Sequence, residues 1–219
     1  MRPLIIIDGA HLKGTYKGTN LLAIRMDGNN QIVPIATGVC QSESIESWSS
    51  FLTKLKDSIG EVKGMAIISD RHQAIVNACT TVFPNAFHGC CCRHLMMNSE
   101  IRNRKHRAVY WKTCKAYTVP DFDRLFAVLQ GFKPGGFPKL EDAGLDKWSR
   151  AHCPTNRYNY MTSNGAECIN SLTKDIRKLP IIKLVEHQRA KLQKWFTDRR
   201  EKYAGNGMCL AGTMCYVRM

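Results

Sequence analysis

The sequence predicts an α/β fold, and three observations carry that reading. Short apolar runs of strand length, several closing on an acidic or turn residue, alternate with stretches whose apolar residues recur at helical spacing. Their order (strand, strand, strand, helix, strand, helix, strand) fits neither an all-α nor an all-β chain. From about residue 91 the pattern changes to basic helices broken by prolines, so one core with an inserted helical part is expected of the 219 residues.

The run Leu4 to Ile7 stops at Asp8-Gly9, which predicts a buried strand with an acid at its carboxyl end. Leu21 to Met26 and Gln31 to Val39 flank Asp27-Gly28-Asn29-Asn30, residues that tolerate positive φ and predict a hairpin. Ser42 and Ser44 can cap a helix whose Ile45, Trp48, Phe51, Leu52, Leu55 and Ile59 face the sheet. Met65 to Ile68 predicts a fourth strand ending in Ser69-Asp70-Arg71, then a helix with Ile75, Val76 and Cys79 inward. Phe83-Pro84-Asn85 turns into a fifth strand at Ala86 to Cys90. On this pattern residues 1–90 form the first part of the core and 91–160 the basic helical insertion, interrupted by Pro120, the Pro134 to Pro138 loop and Pro154. Residues 161–203 supply two closing helices, one near Gly165 to Arg177 and one opened by Pro180 with Leu184, Val185, Gln188, Leu192, Trp195 and Phe196 inward. Residues 204–219 are expected to be a loosely ordered tail.

Charge narrows the partner. Lys and Arg number 32 against 18 Asp and Glu, a net charge of +14, which favours a polyanion over a neutral metabolite. Residues 1–80 hold 8 basic and 7 acidic side chains, residues 81–219 hold 24 and 11, so the basic surface belongs to the second part of the chain. The competing reading of that surface is a merely solubilising face. No apolar run reaches the roughly 18 residues of a membrane span, and no signal-peptide pattern opens the chain, so an intracellular protein without a membrane partner is expected. Ten cysteines, three of them consecutive at Cys90, Cys91 and Cys92, suit reduced thiols better than a disulfide framework.

Three acids stand out: Asp8 and Asp70 at the ends of predicted buried strands, and Glu167 on a closing helix. Carboxylates at neighbouring strand ends can converge above a sheet edge and hold hard divalent cations, which activate a water or 3′-hydroxyl in phosphodiester attack. Helical spacing puts Glu167, Asn170, Ser171 and Lys174 on one face and Ile169, Leu172 and Ile176 roughly opposite, so Glu167 is expected to point away from the core. The plainer reading is that the aspartates cap turns and the glutamate serves its helix dipole.

Three segments taken in order, RPLIIIDGAHLKGTYKGTNLLAIRMDGNNQIVPIA, MAIISDRHQAIVNACTTVFPNAFHGCCCRHL and TSNGAECINSLTKDIRKLPI, resemble successive signatures of the Mutator-like element (MULE) transposase domain, over nearly all of residues 2–201. The resemblance implies an RNase H-like fold: a mixed five-stranded sheet flanked by helices, with a helical insertion before the last acidic residue. It implies cut-and-paste DNA transposition in the nucleus by a DDE triad, with Asp8, Asp70 and Glu167 as catalytic residues and ligands of two Mg2+ or Mn2+ ions. DNA, as transposon ends and target, is the implied partner, with a homo-oligomer as the working form. A non-catalytic, domesticated DNA-binding or regulatory derivative is the alternative.

The family's Cys-x2-His element falls on Cys91 and His94. It admits two readings: packing or hydrogen bonding near the active site, or a Zn2+ site needing two more ligands such as His152 and Cys153. DNA contact is expected from Arg102, Arg104, Lys105, His106 and Arg107, with Tyr110 and Trp111 offering stacking; beside the acids, His11, Lys13 and Lys17 either touch the scissile strand or merely solvate a loop, and Arg71 either binds phosphate or holds the local carboxylates. A nuclear-import signal is the rival reading of the 102–107 cluster. Full-length relatives carry an N-terminal DNA-binding region and a C-terminal zinc finger whose pattern Cys209 and Cys215 do not make, so a fragment or relic is expected.

Overall fold

A computed structural model describes residues 2–132 and 137–203. The expected tail at 204–219 and the first part of the proline–glycine loop lie outside the described residues.

Five strands, β1 (Leu4–His11), β2 (Thr19–Met26), β3 (Ile32–Cys40), β4 (Ala66–Ser69) and β5 (Phe87–Cys90), form one sheet in the order β3-β2-β1-β4-β5. β1, β2 and β3 are an antiparallel meander, while β4 and β5 run parallel to β1. This mixed sheet, with helices on both faces, is an RNase H-like α/β fold. In the β2–β3 hairpin the Asp27 carboxylate accepts from the backbone N–H of Asn29 and Gln31, both at 2.8 Å, and Asn30 adopts φ 61°. β1 outruns the apolar run that predicted it, because β2 pairs with it as far as His11↔Thr19. Asp8 therefore lies inside β1, just beyond the last β4 pairing at Ile6↔Ile68, and not at the strand's end.

Alternation divides the strands between two cores. Ile5, Ile7, Leu21, Ala23 and Ile67 pack on Trp48, Phe51, Leu52 and Leu55 of α1 (Ile45–Ile59) and on Ile75, Ala78 and Cys79 of α2 (Gln73–Val82). Ser44 caps α1, accepting from Ser47 N–H at 3.2 Å, but Ile45, the first residue of the helix, is exposed and not turned to the sheet as its spacing predicts. Leu4, Ile6, Leu22, Ile24, Ala66 and Ile68 face the other way and are covered by Ala166 and Ile169 of α8 (Asn164–Leu172) and by Trp195 of α9 (Ile181–Tyr203). By the same alternation Asp8 points to this second face, under α8.

Between β5 and α8 lie α3 (Cys92–Asn98), α4 (Arg104–Lys115), α5 (Val119–Phe132), α6 (Phe137–Asp142) and α7 (Leu145–Trp148), which share a third core built around Trp148, Tyr110, Phe122 and Leu129. Pro120 opens α5 instead of breaking a helix, and Phe137 and Pro138 begin α6, since a proline in a first turn lacks only an N–H that has no helical partner. All described cysteines are free thiols, with Cys90, Cys92 and Cys114 buried in this core.

The expected single helix at 165–177 is split into α8 and a 3-10 turn at Ile176–Lys178. The cause is Arg177, which turns inward to donate to the carbonyls of His11 and, at 3.1 Å, Asn170, while its own carbonyl accepts from Lys13 N–H. In α9, Leu184 and Gln188 are buried but Val185 is 47% exposed, so the helix touches the sheet through a narrower stripe than its apolar pattern suggests.

Candidate active-site rim

Strand register brings the first two acids level. Ile6 pairs with Ile68 on β4, so two residues further along Asp8 and Asp70 come into line. Ser69 pairs with Cys90 on β5, and the next residue, Cys91, donates its N–H to Ser69 O at 2.7 Å. α8 crosses above this row, where Asn170 Nδ2 donates to Asp8 Oδ2 at 2.7 Å. Glu167, one turn earlier, accepts from Ser163 Oγ at 3.1 Å and pairs with Arg93 Nη1 at 3.1 Å. Asp70 also does what the plainer reading expects of it, its Oδ1 accepting from His72 N–H at 3.0 Å in the turn before α2.

Burial pushes the Asp8 carboxyl up to about 7; the Asn170 hydrogen bond opposes this, the charges of Asp70 and Glu167 add to it, and His94 opposes it. Asp70 and Glu167 thus both lie close enough for their charges to act on Asp8. Burial raises the Cys91 thiol, yet hydrogen bonds with His94 and with Ser163 N–H, the latter 3.2 Å away, outweigh it and leave the thiol below its usual range. The hydrogen bond with Cys91 holds His94 up at about 9, against burial, with Cys91, Glu167 and Asp70 contributing.

The tightest set of potential metal donors among the described residues is Cys91, His94 and Glu167, whose ligand atoms lie within 4.8 Å of one another. Cys91 precedes α3 and His94 follows one turn later, so both look toward the start of α8. The third donor beside the Cys-x2-His pair is Glu167, and neither His152 nor Cys153 joins it. His152 instead bonds Ser149 Oγ at 2.9 Å and sets its ring edge on Phe122.

Among the basic residues singled out from the sequence, His11, Lys13, Lys17 and Arg71 are exposed. Arg71 lines a cavity of about 680 Å³ together with Asp70, His72, His94 and Lys147. Arg102, Arg104, Lys105 and Arg107 are exposed around the start of α4, which Asn103 caps. The expected stacking aromatics differ from that reading: Tyr110 is fully buried, its hydroxyl donating to Cys92 O at 2.8 Å, and Trp111 is half-buried. His106 stacks on Phe132, with ring centroids 4.8 Å apart.

Four contributors escape sequence reasoning: Asn170, Arg177, Arg93 and Ser163. Asn170 shares the predicted face of Glu167, but that face is only 5% exposed at Asn170 because α8 lies flat on the sheet, while Leu172 on the supposed core face is 62% exposed. The signal available was the three-residue spacing from Glu167; nothing in the sequence marks Arg177.

An RNase H-like core carrying three acids and a Cys–His pair at one rim is the class that fold and site define. Residues 4–98 match the family model of the MULE transposase domain, a stretch that holds Asp8, Asp70, Cys91 and His94 and stops short of Glu167. The comparison with curated proteins gave no match. Similar solved structures include a simian T-cell lymphotropic virus intasome in complex with PP2A regulatory subunit B56 gamma, at 14% identity and TM-score 0.30 over 72% of this chain and 54% of that one. The catalytic core domain of BIV integrase matches at 14% identity and TM-score 0.31, over 78% of this chain and 97% of that one. The match spans about half the length of the intasome chain.

Proposed function

We propose that this chain is the catalytic core of a MULE-type DNA transposase, cleaving DNA and transferring strands with divalent cations held by Asp8, Asp70 and Glu167. The observation that carries the reading is the convergence of these acids at one rim: the β1–β4 register sets Asp8 level with Asp70, and α8, which carries Glu167, is tied over the half-buried Asp8 by the Asn170 hydrogen bond. The donor set suits Mg2+ or Mn2+: hard carboxylate oxygens, with the buried Oδ1 of Asn170 left without a partner beside Asp8. Two such cations supply activation of a water or 3′-hydroxyl and stabilisation of the leaving oxygen.

The chain's own residues do the positioning. Asn170 fixes the Asp8 carboxylate, Ser163 and Arg93 hold Glu167, and Arg71 and Lys147 line the cavity into which a phosphodiester would enter. The exposed basic start of α4 extends the surface open to the DNA backbone. DNA ends and target are the partners in this reading, a homo-oligomer the working form, and the nucleus the place of work.

A second reading, a transposase-derived DNA-binding protein without catalysis, is favoured by one feature. Glu167 is engaged by Arg93 and Ser163 and groups with Cys91 and His94 more tightly than with the two aspartates. Calorimetric titration of Mn2+ into the chain and into Asp70→Asn separates the two. Saturable binding that the variant loses supports the metal-dependent enzyme; no binding by folded wild type, with DNA present, establishes the second reading instead.

A further inference from the structure

A polar cavity of about 480 Å³ opens at the other end of β1, where Arg2, the tip of the β2–β3 hairpin and the loop leading to α8 meet the helical insertion. Arg2 precedes β1 and Asp8 lies four residues beyond its start, so along the strand the cavity and the acid rim are separated by at least about 13 Å. Its walls carry three arginines, Arg2, Arg150 and Arg157, and no carboxylate.

Each arginine is held differently. Arg157 is 2% exposed, its guanidinium donating to Lys147 O at 2.8 Å and Cys90 O at 3.1 Å, while its Nε has no partner. Arg2 donates to Asn30 Oδ1 and lies over the Tyr158 ring at 5.2 Å. Arg150 lies 4.3 Å from the ring centroid of Tyr117, which is 76% exposed and so keeps a face open to solvent. The Thr155 hydroxyl is buried without a hydrogen-bond partner at the same cavity. A buried guanidinium, two more arginines on the walls, an unanswered hydroxyl and an open aromatic face together make a phosphate-and-base pattern.

From this arrangement we infer that the cavity is a second nucleic-acid site, which takes a single-stranded phosphodiester between Arg2 and Arg150 and stacks the neighbouring base on Tyr117. It is separate from the acid rim, and rests on the proposed function only in taking nucleic acid as the ligand. The volume suits one nucleotide, and stacking with phosphate contact predicts little preference for sequence. A plain anion site would have no use for the exposed tyrosine ring, and an acidic peptide no use for its face.

The test is fluorescence anisotropy of a labelled eight-residue oligothymidylate with the full chain carrying Asp8→Asn, so that cleavage plays no part. Adding Arg2→Gln and Arg150→Gln is expected to weaken binding about tenfold or more and to reduce the slope of log affinity against log salt by about 0.7, one single-strand phosphate contact. Tyr117→Ala is expected to weaken binding about tenfold with the salt slope unchanged. Tyr117 is exposed and Arg2 and Arg150 are half-buried, and unchanged thermal melting checks the fold. Unchanged affinity and slope in the double-arginine variant overturn the inference. Competition by inorganic phosphate equal to that by oligonucleotide, or an inert Tyr117→Ala, overturns it in favour of a general anion site, and equal competition by polyglutamate in favour of an acidic peptide. Failure of Mn2+ to bind at the acid rim sinks the proposed function and leaves these outcomes untouched.

Discussion

Asp8 sits in the second core's face with one side-chain donor, Asn170, and two nearby negative charges, and that position has consequences in solution. Its carboxyl, raised to about 7 in the folded chain and near 3.8 when unfolded, keeps a proton in the native state between those values. Its contribution to folding is therefore present at low pH and lost as pH rises through about 7. Asp8→Asn is neutral throughout, so the metal-free variant is expected to melt above wild type at pH 8, by an amount that shrinks as pH falls and vanishes below about 3.8; a lower melting point at pH 8 contradicts the electrostatic cost. Because a cation must displace that proton, Mn2+ affinity of wild type should rise between pH 6 and 8, with about one proton released per site in calorimetry at pH 6. His88 shifts the opposite way. Burial holds its imidazole down at about 4, with Lys147 and Arg157 adding to the effect, while Ser69 Oγ lies 2.8 Å from its Nε2. The unfolded chain takes up a proton below about 6.5 that the folded chain refuses until about 4, so stability falls as pH drops through that window, by up to about 3 kcal/mol at its lower end. His88→Gln should flatten the chemical-denaturation profile over that range.

Elements decide how well α8 holds its acids. The segment after β1 is clamped to the 3-10 turn that follows α8: Lys13 N–H donates to Arg177 O at 2.9 Å, and Arg177 returns a bond to His11 O. Gly14 passes so close that an added Cβ would lie 2.2 Å from Lys178 O, a backbone atom with no freedom to move aside. Gly14→Ala is expected to cost about 1–3 kcal/mol and to loosen Asn170 with the turn, so its denaturation midpoint and its Mn2+ affinity should both fall. A loss of stability with intact metal affinity would show that α8 keeps its seat without the clamp. Sequence reasoning located this helix and its glutamate. It assigned Asn170 outward because periodicity gives only the relative angle of residues on a helix, and the sheet sets which angle is buried.

The whole molecule joins two sheet-facing cores to a third core in the insertion, and that third core rests on Trp148, fully buried and donating to Leu140 O at 2.9 Å. Trp148→Ala should cost about 3–5 kcal/mol, and hydrogen exchange is expected to rise first in α3 to α7, whereas protection lost uniformly across the sheet would mean that the three cores melt as one. Strand and helix identity were legible in the sequence because alternation, helical spacing and turn residues are local signals: the run Leu4 to Ile7, the Asp27–Asn30 turn and the Ser44 cap each act through neighbours in the chain. Asp8, Asp70 and Glu167 were legible as candidates through the MULE resemblance. Tertiary structure alone decided that Asp8 lies inside β1, that Glu167 groups with Cys91 and His94, that Tyr110 is buried, and that Arg177 turns inward to bind α8. Those outcomes depend on register, on how a helix lies across the sheet and on which buried carbonyls need a donor, relations between residues as much as 166 positions apart that no local pattern carries.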